Sequence, residues 1–225
     1  MRRWFVPSAE TLSAIRVEGD RIAQLARRDP DRPVPQYPGW TMTDLVRHIA
    51  AIHGRTTAVC NELPSERVPS PPMPEGANPV AWYEATLDAM LEALAAADDS
   101  TPVWGFVPNS TLSFWESRML IETGVHRWDA EQAFGEPRPL LPQVAIAGLE
   151  EFPAMWLPRL GDLEPIRFYA VDVERGWGYG KGEPTATVSG TASDLFLRLM
   201  SRPAPVELPG PWATAVDSLE PPPKR

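Results

Sequence analysis

Proline placement restricts this chain more than any other feature. Of its 225 residues, 27 are proline, and in the first 140 they gather between long segments that have none. The stretch DPDRPVPQYPGW (29–40) carries four, and LPSERVPSPPMPEGANP (63–79) is another such connection. A proline ring fixes φ and removes an amide donor, so no helix continues through either stretch. The segments between them carry apolar residues at helical spacing. The first runs from Ser8 to Arg28 with Leu12, Ile15, Ile22 and Leu25 on one side. The second starts at Thr41 or Thr43, where a hydroxyl caps the free amides and Asp44 faces the positive end. It continues through Leu45, Val46, Ile49 and Ile52 to about Cys60. Asn78 and Pro79 open a third helix, a cap followed by the residue that needs no N–H. Its face is Val80, Tyr83, Leu87, Met90, Leu91 and Leu94, and it stops at Asp98-Asp99-Ser100. The fourth spans Thr111 to Phe134 and is closed by Gly135 and Pro137. Four such helices predict a bundle, and the two long connections allow a crossover topology.

Beyond Leu140 the pattern changes. A fifth helix around Gln143 to Leu157 precedes IRFYAVDV (166–173), which is β-branched or aromatic and alternates. GWGYGKG reads as a glycine-rich turn or a second strand, TATVSG (185–190) as a third, and Ser193 to Arg202 as a short helix. LEPPPKR reads as a frayed tail. The expectation is a mainly α chain: a four-helix bundle over residues 1–140, then a small α+β domain over 141–225.

The hydrophobic fraction of 43% and nine tryptophans mark a folded chain. A net charge of -9 argues against a nucleic-acid or anionic membrane surface, both of which need a basic patch. One cysteine, Cys60, excludes a disulfide framework and a thiolate metal cluster. Neither a membrane span nor a secretory signal is readable, so a cytoplasmic protein is expected.

The fourth helix holds an anomaly. Trp115, Met119, Glu122, His126, Asp129 and Ala133 recur on one face, which places a carboxylate and an imidazole among core positions. Such groups cost several kcal/mol when buried, unless paired or bound to an ion. Glu-x-x-x-His spacing also lets both reach one ion. His48 sits inward on the second helix, between Leu45 and Ile52. Three N/O donors from two facing helices suit a catalytic zinc with a vacant position. The plainer alternative stays open: a packed core histidine beside an ordinary i, i+4 pair.

PGWTMTDLVRHIAAIHGR (38–55) and ESRMLIETGVHRWDAEQAFG (116–135) resemble the two signature segments of the mycothiol-dependent maleylpyruvate isomerase family. TVSGTASDLFLRLMSR (187–202) is similar to that family's C-terminal domain. The resemblance implies a DinB-like four-helix bundle followed by a small α+β domain. It implies zinc, or another divalent metal, held by His48, Glu122 and His126. It also implies an arginine near the C-terminal domain's last helix that binds the acidic substrate, here Arg202, with Arg198 one turn earlier. The implied cosubstrate is mycothiol, a thiol of actinobacteria, and the implied partner is a small electrophile. Monomer and homodimer both remain open.

A metal cation favours the thiolate over the thiol, and the thiolate is the nucleophile. Addition to a double bond, rotation and departure isomerise the acceptor; addition alone makes the enzyme a thiol S-transferase. The alternatives are a non-catalytic DinB-like metal-binding protein and a hydrolase using metal-bound water. Among neighbouring residues, Asp129 is placed to accept the free ring N–H of His126 or to pair with an arginine. Arg118 is placed to pair with Glu122 when metal is absent. His53 points about 140° from His48 and reads as packing. Cys60 reads as a small apolar group.

Overall fold

Threonine and asparagine caps set where the N-terminal helices begin. Thr41 accepts from the Asp44 amide while the Asp44 side chain accepts from the Thr41 amide, a reciprocal capping box that starts α2, Met42–Glu62. Asn78 takes the amides of Val80 and Ala81 at 3.0 Å each and starts α3, Pro79–Ala95. The other two helices are α1, Ala9–Arg28, and α4, Leu112–Ala133. Gly135, with φ of +77°, stops α4 in a conformation that disfavours a side chain.

The computed structural model describes residues 9–219, and the chain divides into two units between Arg138 and Pro139. Ser8, the expected start of the first helix, lies outside the described residues, as does the expected tail beyond Leu219. Among the described residues, no helix is long and apolar enough to cross a membrane.

In the first unit, α1 packs on α3 and α4, and α2 also packs on α3 and α4. The α1–α2 and α3–α4 connections therefore run across the bundle. Each is pinned by an isolated bridge to the residue before the next helix, Pro33 to Thr41 and Pro102 to Thr111. The longest proline-rich stretch, before α3, joins neighbours instead.

The expectation of one inward stripe on the fourth helix needs correction. Every α4 residue except Glu122 and Gln132 is buried. Most of its charged residues are tolerated because they are paired, although Glu116 Oε1 and Thr123 Oγ1 are buried with no hydrogen-bond partner. Arg127 Nε donates to Glu18 at 2.6 Å and its Nη1 to Glu131 at 2.8 Å; Glu131 also accepts from Arg21 at 3.0 Å and Arg138 at 2.9 Å. Burial raises the Glu131 pKa, but these guanidinium bonds outweigh it and bring the carboxyl down to about 2.

The second unit contains α5, Pro142–Met155, a 3-10 turn at Leu157–Arg159, and strands β1, Ile166–Ala170, β2, Arg175–Tyr179, and β3, Ala186–Gly190. Helices α6, Ala192–Leu199, and α7, Gly210–Asp217, complete it. The sheet order is β2-β1-β3, with β1 antiparallel to β2 and parallel to β3. The GWGYGKG stretch thus supplies a strand. Ile166, Phe168, Trp177, Tyr179 and Val188 are buried, and α5 and α6 pack together against the sheet. Ring contacts extend this core: Phe152 stacks on Tyr179 at 5.6 Å, and Trp212 of α7 meets Phe168 at 5.8 Å.

Two details differ from expectation. The helix predicted to reach Arg202 ends at Leu199, because Ser201 turns into the left-handed region with φ of +59°. Helix α7 was not expected, because prolines at 203, 205, 209 and 211 crowd its start. A proline in the first turn costs no hydrogen bond, and Trp212 and Val216, one turn apart, provide a buried face.

Candidate functional site

Because α2 and α4 are neighbours, their inward histidines meet. The His48 and His126 rings lie 5.3 Å apart between centroids and nearly perpendicular, at 84°. Glu122 Oε2 is 3.3 Å from His126 Nε2. The three residues singled out in the sequence are therefore adjacent.

His126 is held on its other side. Its Nδ1 lies 3.0 Å from Asp129 Oδ2, which also accepts from the Tyr37 hydroxyl at 3.2 Å. Of the two readings of Asp129, this is the imidazole partner. A carboxylate on Nδ1 fixes the ring and turns Nε2 toward Glu122. Burial opposes a charged ring, but bonds to Asp129 and Glu122 outweigh it and the His126 pKa is raised. Glu122 is likewise pushed up by burial. The Arg118 guanidinium and then His126 prevail, holding its carboxyl well below the usual range. Arg118 donates directly to Glu122.

Among the described residues, no group of three or more His, Cys, Asp or Glu side chains has the arrangement of a metal site. The donor chemistry nevertheless fits a divalent ion: two imidazoles, one with its Nδ1 engaged, and a carboxylate kept ionised. Glu122 Oε1 accepts from Arg118 and its Oε2 faces His126 Nε2.

His48 also borders a cavity on the α2 side. The cavity, of about 280 Å³, is lined by His48, Asp44, Arg47, Trp40, Trp82 and Met73, among others. Trp40 is T-shaped against His48 at 5.2 Å and tilted on Tyr37 at 4.7 Å, so it joins the cavity wall to the Tyr37–Asp129–His126 chain. Tyr37, Arg47, Trp82 and Met73 were not foreseen. Tyr37 and Met73 come from the proline-rich connections, whose course periodicity cannot predict; the sequence signal for Tyr37 was its place three residues before Trp40.

The other singled-out residues fall elsewhere. His53 is fully buried, packs at 5.5 Å on the Tyr83 ring, and has no hydrogen bond at either ring nitrogen. Burial raises the Cys60 thiol to about 11, which makes it a poor nucleophile. In the second unit, Arg198 is taken by Asp217 of α7 at 2.7 and 3.2 Å. Arg202 lies past the end of α6, is buried, and donates to the Met200 carbonyl at 2.7 Å.

Two crystal structures share this architecture. The mycothiol-dependent maleylpyruvate isomerase has a TM-score of 0.68 at 16% identity, over 91% of this chain and 95% of that one. A histidine-to-alanine mutant of the mycothiol-dependent maleylpyruvate isomerase has a TM-score of 0.66 at 15% identity, over 85% and 88%. At such identities the likeness is one of fold. No curated protein matches the sequence. Residues 12–131, more than half of the chain and the span from within α1 through His126 and Asp129, match the family described as the mycothiol maleylpyruvate isomerase N-terminal domain. The chain belongs to that family.

Proposed function

We propose that this chain is a mycothiol-dependent enzyme that isomerises, or S-conjugates, a small electrophilic substrate, and that His48, Glu122 and His126 hold a divalent metal, zinc by preference. The observation that supports this most directly is the His48–His126–Glu122 cluster at the α2–α4 contact, with Asp129 on the far nitrogen of His126. When bound, the metal would supply positive charge that favours the thiolate form of the cosubstrate at neutral pH.

The chain's own residues have separable tasks in this reading. Asp129 and Tyr37 fix the ring plane of His126. Arg118 donates to Glu122 and helps keep its carboxyl ionised. Trp40 and Trp82 give the cavity beside His48 two aromatic walls that limit bulk water around the reacting groups. Arg202 binds the acidic substrate. Holding thiol and acceptor together converts a bimolecular addition into an intramolecular one.

Family membership fixes ancestry and fold, whereas activity belongs to the site. The test is therefore chemical. Purified protein should bind about one zinc per chain, His126→Ala should lose it, and turnover of maleylpyruvate should require mycothiol. Equal rates with and without mycothiol would refute the thiol reading. Full zinc occupancy in His126→Ala would refute the site.

A further inference from the structure

Arg47 is a cation that lines the cavity beside His48. It projects from α2 in the residue before His48 and is half-buried on the wall of the 280 Å³ cavity. Among the described residues it has no hydrogen bond, ion pair or ring contact. Other arginines of α1 and α4 are spent: Arg16 on Asp88, Arg21 and Arg127 on Glu131, Arg27 on Glu84 and Arg118 on Glu122. The one carboxylate sharing the cavity, Asp44, already accepts from the Thr41 amide at 2.9 Å and the Thr41 hydroxyl at 3.1 Å.

A guanidinium that is partly desolvated and unpaired is poorly satisfied, and it presents a planar fork that matches a carboxylate. The cavity around it has Trp40 and Trp82 as aromatic walls and Met73 as an adaptable one. Its volume lies just below the range for drug-sized ligands, about 300–1,000 Å³, which suits a small organic acid. The chain is otherwise acidic, with a net charge of -9, so an anion entering here is not attracted by the bulk charge. A specific cation must hold it.

We propose that Arg47 anchors the carboxylate of a small organic acid in the Trp40–Trp82 cavity beside His48. The cavity's affinity for a carboxylate stands on Arg47 and the cavity walls, independently of any thiol chemistry. That the bound acid is the thiol acceptor rests on the function proposed above. The consequence is that acceptors carrying a carboxylate are preferred over their neutral amides.

Isothermal titration calorimetry on the full-length protein without thiol tests the anchor separately from the reaction. Sodium maleate is the probe and maleamide its neutral control. The wild type should bind maleate and not maleamide. Arg47→Gln should weaken maleate binding about tenfold or more, and Arg47→Lys should recover part of it, since a point charge replaces the fork. Zinc stoichiometry and Tm should be unchanged in both variants. Maleate binding that survives Arg47→Gln, that is lost only in Arg202→Gln, or that is matched by maleamide would overturn the proposal. So would absence of maleate binding by the wild type. A mycothiol-independent turnover would refute the proposed function and leave this binding result intact.

Discussion

His53 should make the bundle acid-sensitive, and replacing it with leucine should remove that sensitivity. The ring is fully buried with both nitrogens unpartnered. Burial drives its pKa from the ordinary 6.5 to about 3, with Glu122 opposing and His126 adding to the depression. Between those two values the unfolded chain binds a proton that the folded chain refuses, so stability falls as pH falls through that window. At pH 5 the unfolded state has gained one and a half pH units of protonation. At about 1.36 kcal/mol per unit, this is about 2 kcal/mol lost. Leucine fills similar volume without orphaned polar atoms, which contributes about 1 kcal/mol at any pH. His53→Leu should therefore be more stable than wild type by about 1 kcal/mol at pH 7.5 and by about 3 kcal/mol at pH 5. Urea unfolding followed by circular dichroism at the two pH values measures the difference. Because His126 titrates in both proteins, with the opposite sign, comparing variant with wild type cancels it. A stability gap that does not widen on acidification would show that the ring is hydrated or paired, and the reasoning would fail.

Two further expectations concern packing and charge. Glu131→Gln should cost about 3 kcal/mol or more, because Arg127 and Arg138 lose their shared carboxylate and Arg127 is itself buried. Since that carboxyl titrates near 2 rather than 4.5, its contribution is fully present above pH 4.5. The wild type should lose it as pH drops toward 2, while the glutamine variant's acid profile is flatter over that window. Gly148→Ala should destabilise the second unit by about 1–3 kcal/mol despite alanine's better helix propensity. A Cβ there would meet the Phe196 ring at 2.2 Å, where α5 and α6 touch. Thermal unfolding that matches wild type would mean that Phe196 moves aside at little cost.

Local chemistry that acts within one turn of chain was legible in the sequence. Thr41 with Asp44, Asn78 with Pro79, and Gly135 each announce a helix boundary, because a cap or a left-handed residue needs only its immediate neighbours. The same holds for Glu122 and His126, whose shared face follows from four-residue spacing. Helix α7 was hidden because its flanking prolines look like loop, and only the burial of Trp212 against Phe168 justifies the helix. The even burial of α4 was hidden too, since its inward charges read as a surface until Glu18 and Arg21 of α1 are brought alongside.

The sequence by itself determined the helices, their caps, the alternating strand face and the donor types available for an ion. Tertiary structure decided which helices neighbour one another, and with that whether His48 faces His126. It also decided that proline-rich connections, which have no periodicity to read, would bring Tyr37 to Asp129 and Met73 to the cavity wall. The physical reason is range. Hydrogen bonds and propensities act over a few residues, whereas packing unites residues that the chain separates by a hundred, and that side-by-side order is set by how all the faces fit at once.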